Sequence, residues 1–368
     1  MNELTHVLGL FEPDRAVVDM GKKRQAAMWW NRDADFVPIL LGGPGHPERS
    51  RFPKYNLKEC YYDRDRMLME HLWGMIGTSN GRSDAVPSMR CNSGTGTLPT
   101  VFGCVSTVFE DKMPWVTTHL SKAAVEAFEP TDIASKGEMP RVLDYMRYFA
   151  EKLNGKAAVY CADHQGPFDV AHLVYGDTIF TDVVDDPAFV HRLLDKCTVA
   201  MIEAVKLMKA AVGEPAAAGY HGGNLYMENG GVRICEDTPT LLNATMVDEF
   251  VIPYTRRVLA AFGGGWIHYC GGTKRLFDQF VRVPEARGIN FGNPERYAPS
   301  EILGTCLALG KFYYGSFRRE PSESLEAYYR RILGGLNGHR KGLIFVSSLK
   351  KDDPPAPQAV ELWRKLQQ

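Results

Sequence analysis

The chain has 368 residues, of which 45% are hydrophobic, enough for a large packed core. Its 43 Lys and Arg residues balance 44 Asp and Glu residues, which argues against a general nucleic-acid-binding protein. No run approaches the roughly 20 consecutive apolar residues of a membrane span, and the segment from Met1 to Arg24 has no apolar signal-peptide core.

Eight short apolar runs, most of them ending in glycine or polar residues, recur along the chain, and each predicts a strand. The fourth run is the weakest by composition, because it consists mostly of alanine and glycine. The runs cover residues 37–43, 88–94, 157–163, 216–223, 266–272, 288–293, 311–315 and 342–348.

Helical patterns separate these runs, and this alternation predicts a single (β/α)8 barrel over residues 1–368. Residues 1–36 are expected to form a helical lead-in, and residues 45–87 and 105–155 to carry extra helices that cover the barrel mouth. An open doubly wound sheet is the alternative, but no GxGxxG motif follows an early strand. Helices are predicted at 187–211, 243–262, 322–334 and 358–365.

The eight cysteines are scattered and form no CxxC pair, which predicts free thiols in a reducing compartment, and so a cytoplasmic protein. Most are expected to be small buried residues, with Cys270 as the exception. His268 and Cys270 are two positions apart on a predicted strand, so both side chains are expected to face the barrel mouth, where they could bind zinc. The alternative is a core histidine beside a buried thiol.

Other polar residues lie at predicted carboxyl ends of strands, where a barrel carries its chemistry. Asp163 and His221 are candidates for proton transfer, and Glu236 for catalysis or metal binding. The alternative for Asp163-His164-Gln165 is a turn cap, and for the acidic pair Glu236-Asp237 it is a cap of the helix that follows, with Asp237 near its start. The predicted substrate-binding residues are Arg49, His164, Gln165 and Asn293.

Two segments resemble the uroporphyrinogen decarboxylase superfamily. The first runs from Asp163-His164-Gln165-Gly166-Pro167 to Asp185-Asp186-Pro187, and the second from Ile234-Cys235-Glu236-Asp237 to Ile267-His268-Tyr269-Cys270-Gly271. The resemblance implies a (β/α)8 fold. It also implies one of two activities: decarboxylation of uroporphyrinogen, or methyl transfer between a corrinoid protein and a small molecule.

The decarboxylase branch has an Arg-Gln-Ala-Gly-Arg loop after its first strand, which this chain lacks. Its Arg24-Gln25-Ala26 lies before the first predicted strand, inside a helical pattern, so the match is read as accidental. The methyltransferase branch therefore fits better, and it implies a zinc ion on His268 and Cys270.

That branch takes its third zinc ligand from a cysteine after the last strand, where this chain has Ser347-Ser348-Leu349-Lys350. A nitrogen or oxygen ligand is expected instead, with Glu236 as the first choice and Asp237 and His221 as alternatives. The methylcorrinoid would be carried by a separate protein, because the chain shows no corrinoid-binding pattern.

Two other functions stay open. A metal-independent decarboxylase or lyase could hold a small carboxylic acid on Arg49, Arg51 and Arg90. A non-catalytic barrel could bind a small ligand. In each case the expected partner is a small molecule, with neither nucleic acid nor membrane.

Overall fold

The computed structural model describes residues 3–368, and its helices and strands alternate through most of that range. The helices are α1 (Glu3–Leu10), α2 (Arg15–Trp29), α3 (Leu57–Tyr62), α4 (Arg64–Asn80), α5 (Thr97–Phe102), α6 (Lys122–Ala127), α7 (Met139–Leu153), α8 (Pro167–Tyr175), α9 (Ile179–Asp185), α10 (Pro187–Val212), α11 (Ala244–Phe250), α12 (Ile252–Ala261), α13 (Lys274–Phe280), α14 (Pro299–Ala308), α15 (Leu325–Gly334) and α16 (Ala356–Lys365). The strands are β1 (Ile39–Leu40), β2 (Ser88–Arg90), β3 (Ser106–Thr107), β4 (Trp115–Val116), β5 (Ala158–Tyr160), β6 (Gly219–His221), β7 (Leu225–Met227), β8 (Val232–Cys235), β9 (Gly265–Tyr269), β10 (Ala286–Phe291), β11 (Phe312–Gly315) and β12 (Leu343–Val346).

Eight parallel strands build the barrel, which confirms the predicted fold. Six of them hydrogen-bond in the order β1-β12-β11-β10-β9-β8, and β2 pairs with β5. The backbone N–H of Asp84 donates to the carbonyl of Ile39 at 2.9 Å and links β1 to the segment before β2. The antiparallel hairpin β6–β7 lies in sequence between β5 and β8, two barrel strands that do not pair with each other.

The prediction for the fourth barrel strand is wrong. Residues 219–221 of the predicted run form β6, which pairs antiparallel with β7, and the fourth parallel strand is β8. Gly222 and Gly223 have φ angles of 62° and 76° and turn the chain back on itself, which few other residues do without strain. The correction moves the barrel's carboxyl edge to Cys235, directly beside His268 on β9.

Apolar side chains fill the interior of the barrel toward the amino ends of the strands. Met28 and Trp29 of α2 pack there with Trp266 and Phe312, and the ring centres of Trp29 and Phe312 are 4.8 Å apart. The indole N–H of Trp29 donates to the carbonyl of Tyr226 at 2.9 Å, which ties this helix to the hairpin. Polar side chains therefore gather toward the carboxyl ends of the strands.

The predicted helices outside the barrel are also present. Helix α10 begins after Asp186, whose carboxylate accepts from the backbone N–H of Phe189 and caps the helix. The lead-in contains α1 and α2, while its first two residues lie outside the described part. That the chain forms one domain stays a prediction. Within residues 3–368, every helix is too short or too polar to cross a bilayer.

Candidate functional site

Four side chains with metal-binding atoms meet at the carboxyl ends of β8 and β9. We call Cys235, Asp237, His268 and Cys270 the thiol–histidine cluster. The Cys270 Sγ atom lies 3.5 Å from His268 Nε2, and Cys235 Sγ lies 3.4 Å from Asp237 Oδ1. Asp237 Oδ1 is 3.9 Å from His268 Nε2. The structure thus brings His268 and Cys270 together. It adds Asp237, which the sequence analysis named as an alternative ligand, and Cys235, which it did not consider as a ligand.

The orientation of the His268 ring is set from the neighbouring strand. Asn290 Nδ2 donates to the Tyr314 carbonyl at 2.5 Å, so the amide oxygen is the atom that faces His268 Nδ1, also at 2.5 Å. Nδ1 must therefore carry the proton, and Nε2 presents its lone pair to the cluster. A Cβ at Gly315 would lie 2.6 Å from Asn290 Nδ2, so glycine is required for this contact.

The imidazole and the two thiols of the cluster are uncharged at pH 7. Burial lowers the pKa of His268, with Arg233 as the next cause, so the imidazole is neutral at pH 7. Burial raises the pKa of Cys270 to about 11, with Asp237 adding to the shift, and burial also raises the pKa of Cys235. Both thiols are protonated at pH 7, so metal binding must release their protons.

Glu236 does not lie in this cluster, contrary to the prediction that it completes the zinc site. Its carboxylate accepts from the backbone N–H groups of Phe168 and Asp169, at 3.2 and 3.1 Å, and from the Thr255 hydroxyl at 3.2 Å. Side chains alternate along a strand, so Glu236 faces away from its neighbours Cys235 and Asp237. It binds the N-terminus of α8, whereas the capping interpretation concerned the helix that follows Asp237.

Asp169 holds the backbone next to the cluster, and the sequence analysis did not select it as a site residue. Its carboxylate accepts from the backbone N–H groups of Asp237 at 2.9 Å and Thr238 at 2.8 Å. These bonds fix the loop that carries the Asp237 side chain. Burial raises the pKa values of both Asp169 and Glu236, and their mutual repulsion raises that of Glu236 further.

A second polar group lies near the cluster and consists of Arg90, Asp163 and Arg233. Asp163 is 3.4 Å from Arg90 and 3.2 Å from Arg233, and Gln165 Nε2 donates to it at 2.6 Å. Burial by itself raises the pKa of Asp163, but the two arginines outweigh it and hold that pKa well below its usual range. Asp163 is thus a fixed anion at neutral pH, unsuited to the proton transfer predicted for it.

His164 and His221 line the same pocket as Arg90, Asp163 and Arg233. Burial lowers the pKa of His164 to about 4, and it also lowers the pKa of His221, with Arg233 adding to that shift. The His221 ring packs edge-on against Trp266, with centres 5.2 Å apart. Both imidazoles are neutral and weakly basic at pH 7, so they can bind a ligand by hydrogen bonds more readily than they can take its proton.

Two predicted substrate-binding residues have other partners. Arg49 donates to both carboxylate oxygens of Glu70 at 3.0 Å and to the carbonyls of Phe52 and Pro53. Asn293 is exposed in a left-handed turn with φ 56° and donates to Glu295 at 3.0 Å.

Two places where the family motifs were compared with this chain have structural roles here: Arg24, and the turn after β12 where the family has a cysteine. Arg24 lies in α2, where its guanidinium bonds Asp84 at 2.7 Å, so it belongs to a buried ion pair instead of a substrate loop. In the turn after β12, the Ser347 hydroxyl is buried and lies 3.3 Å from the Tyr329 hydroxyl.

Comparison with known proteins supports the resemblance drawn from the residues. The sequence profile of the family described as Uroporphyrinogen decarboxylase (URO-D) matches residues 22–214. A methyltransferase from Methanosarcina mazei has a similar structure, with a TM-score of 0.67 and 17% sequence identity over 94% of this chain and 98% of that chain. At that identity the likeness establishes the fold. No curated protein matches the sequence.

Proposed function

The chain belongs to the uroporphyrinogen decarboxylase family, and from this premise we propose that it is a methyltransferase acting between a corrinoid protein and a small molecule. The observation that carries the proposal is the pair formed by His268 Nε2 and Cys270 Sγ, 3.5 Å apart at the carboxyl end of β9. The structural similarity to a methyltransferase supports the same branch of the family.

The donor set of the cluster fits zinc. Imidazole nitrogen, thiolate sulfur and carboxylate oxygen are its usual protein ligands, and His268 already presents a free lone pair. Zinc bound here would supply Lewis acidity that turns a bound thiol into a thiolate, which is the nucleophilic form. Asn290 holds His268 in the required tautomer, and Asp169 holds the loop of Asp237.

The transfer itself balances with a thiol as acceptor. The acceptor loses its proton to solvent, and its sulfur uses a lone pair to form the new S–C bond. With a methylcorrinoid as donor, the Co–C bond would break as the S–C bond forms, and its electron pair would stay with cobalt. The corrinoid would be presented by a separate protein, as the resemblance implies.

Arg90 and Arg233 favour an acceptor with an anionic group. They share the single carboxylate of Asp163, and the nearby His164 and His221 are neutral. Glu214 also lines this pocket, but Lys209 pairs with it at 2.7 Å, so within the described residues the two arginines face one carboxylate, Asp163, that no other cation offsets. A carboxylate or sulfonate of the acceptor would offset the remaining positive charge and orient its thiol toward the cluster.

The same two arginines also favour a second candidate, a metal-independent decarboxylase acting on a small carboxylic acid. Replacement of CO2 by hydrogen needs a proton donor near the reacting carbon. Asp163 stays ionised and His164 stays neutral at pH 7, so neither supplies that proton readily. This reaction therefore ranks below methyl transfer.

The test is demethylation of free methylcobalamin by the zinc-loaded protein, followed by the change in its visible spectrum. The thiol acceptors are 3-mercaptopropionate and its neutral counterpart 2-mercaptoethanol. We expect demethylation with the first, less with the second, and none with Cys270→Ser. A Cys306→Ser variant is the control, because Cys306 is a buried residue of α14 and does not belong to the cluster. Demethylation that is absent with every thiol, or equal in Cys270→Ser, would overturn the proposal.

A further inference from the structure

We propose that Cys235 is the second sulfur ligand of the metal at this site, beside His268 and Cys270, with Asp237 as the oxygen donor. The inference rests on the proposed function only in placing a metal at the thiol–histidine cluster. It replaces Glu236, the first choice of the sequence analysis, keeps Asp237, which was an alternative there, and adds a second sulfur. It also differs from the family pattern, in which the second sulfur follows the last strand.

Three of the donor–donor distances are close to those around one tetrahedral ion. With Zn–S near 2.3 Å and Zn–N or Zn–O near 2.0–2.1 Å, adjacent ligand atoms of a tetrahedron lie roughly 3.3–3.8 Å apart, the longest distance being that between two sulfurs. Cys270 Sγ and His268 Nε2 are 3.5 Å apart, and Cys235 Sγ and Asp237 Oδ1 are 3.4 Å apart. Asp237 Oδ1 and His268 Nε2, at 3.9 Å, need to approach by about half an ångström.

The ligand atoms of Cys235, Asp237 and His268 all lie within 4.8 Å of one another, so Cys235 is near His268 as well as its hydrogen-bond partner Asp237. Cys270 joins these three through His268 Nε2, which lies 3.5 Å from its sulfur. Cys235 and His268 are register partners on adjacent parallel strands, which fixes the distance between their backbones. Cys235 is 2% exposed, so its sulfur approaches from the barrel wall while Cys270 approaches from the solvent side. All four donors thus come from two neighbouring strands and the residues directly after them.

The turn after β12 cannot take this role. Ser347 is buried against Tyr329, and the Lys350 ammonium donates to the carbonyls of Glu320 and Pro321 at 2.9 Å. A hydroxyl and an ammonium are poor zinc ligands compared with a thiolate. The cysteine missing from this turn is therefore replaced from β8.

This ligand set also leaves a coordination position that a substrate thiol could occupy. Asp237 is the hardest of the four donors, and its Oδ1 already accepts from the Cys270 backbone N–H at 2.6 Å. A soft substrate thiol could therefore take its coordination position, whereas Cys235 and Cys270 would remain bound.

Cobalt(II) substitution tests the proposal, because the thiolate-to-cobalt charge-transfer band grows with the number of bound thiolates. The full-length protein is titrated with CoCl2 under argon, as wild type and as Cys235→Ser, Cys270→Ser and Cys161→Ser. Cys161 is the matched control, since it lines the neighbouring pocket but lies outside the cluster. We expect Cys235→Ser and Cys270→Ser each to reduce the band to about half, and Cys161→Ser to leave it unchanged.

A wild-type band that Cys235→Ser does not reduce would overturn the inference. Thermal unfolding of the metal-free proteins guards against a folding defect, and Cys235→Ala provides a second variant without a hydroxyl. The readout is independent of methyl transfer: two bound thiolates without demethylation would refute the proposed function alone. Demethylation with a band insensitive to Cys235 would refute only this inference.

Discussion

Asn290 decides which nitrogen of His268 faces the metal-binding atoms. Its amide bridges the Nδ1 atom of His268 and the carbonyl of Tyr314, both at 2.5 Å. Partners of this kind fix the tautomer and the ring orientation of a ligating histidine. These two hydrogen bonds could not be predicted from the sequence. There Asn290 is one polar residue in a strand, and its register with His268 is unknown.

We expect Asn290→Leu to lower zinc affinity by about 10–100-fold, the usual effect of removing such a partner. Affinity is measured by competition with a chromophoric chelator. Asn290→Asp keeps an acceptor for Nδ1–H and should retain most of the affinity. Equal affinities for wild type and Asn290→Leu would show that the amide does not position His268.

His164 makes stability depend on pH. Its folded-state pKa of about 4 lies below the unfolded value near 6.5, so the unfolded chain binds more protons between these values. The stability contributed by neutral His164 is thus complete above pH 6.5 and is lost as the pH falls toward 4. Between pH 7 and 5 this amounts to about 2 kcal/mol.

The prediction concerns His164→Gln relative to wild type, because other groups also titrate in this range. The variant should lose less stability than wild type between pH 7 and 5, by about 2 kcal/mol. Urea unfolding at both pH values measures the difference. Parallel pH profiles would mean that His164 is protonated alike in the folded and unfolded chains.

At the scale of single elements, β8 shows where reading the sequence succeeds and where it stops. The spacing of His268 and Cys270 was enough to predict that their side chains lie together, since β9 is a clear apolar run. Strand β8 has only four residues, one of them Arg233, and the longer Ala- and Gly-rich run before it was chosen instead. With β8 in place, alternation puts Arg233 and Cys235 on one face of the strand and Glu236 on the other.

Glu236 is expected to stabilise an element and not to bind metal. Its carboxylate accepts from two backbone N–H groups at the start of α8. Glu236→Ala leaves these buried donors without a partner and should lower the free energy of unfolding by about 1–3 kcal/mol. Zinc stoichiometry, measured by metal analysis, should stay unchanged.

Glu236→Gln is the matched control, because its amide oxygen can still accept and the neutral side chain avoids repulsion by Asp169. It should be more stable than Glu236→Ala. Loss of bound zinc in Glu236→Gln, with the fold intact, would restore Glu236 as a metal ligand.

At the scale of the whole molecule, the barrel separates a stability end from a functional end. The alternation of strands and helices was predictable because seven of the eight barrel strands leave a clear local pattern, whereas β8 was missed. The way in which the first and last helices meet was not predictable, because it depends on ion pairs between residues that are distant in sequence. Arg24 illustrates this limit, since its local sequence resembles a substrate-binding motif, yet it lies in a buried ion pair.

We expect no release of CO2 from uroporphyrinogen. The decarboxylase loop is absent after β1, where Gly42 and Gly43 lead into a loop whose Arg49 is already paired with Glu70. The measurement is porphyrin analysis after anaerobic incubation, with and without zinc. Formation of products with fewer carboxylates would contradict the assignment to the methyltransferase branch.

Asp84 joins the two ends of the chain, so its removal should affect the entire barrel. Its side chain is 1% exposed and bonds Arg24 of α2 at 2.7 Å, the Ile39 N–H of β1 at 3.0 Å and Arg364 of α16 at 3.3 Å. Asp84→Ala leaves the Arg24 guanidinium with only its half-exposed partner Asp35. Because breaking a buried ion pair strands a desolvated charge, we expect a loss of about 3–5 kcal/mol in urea unfolding.

The matched control is Arg82→Ala, which breaks a solvent-exposed pair with Asp14 and should cost at most about 1 kcal/mol. The pair formed by Arg24 and Asp84 lies at the opposite end of the strands from the thiol–histidine cluster, since Asp84 precedes β2 whereas Cys270 follows β9. Folded Asp84→Ala should therefore bind zinc with unchanged affinity. Similar losses of stability in Asp84→Ala and Arg82→Ala would contradict this prediction. Only a desolvated network makes the removal of Asp84 more costly than the loss of a solvent-exposed ion pair.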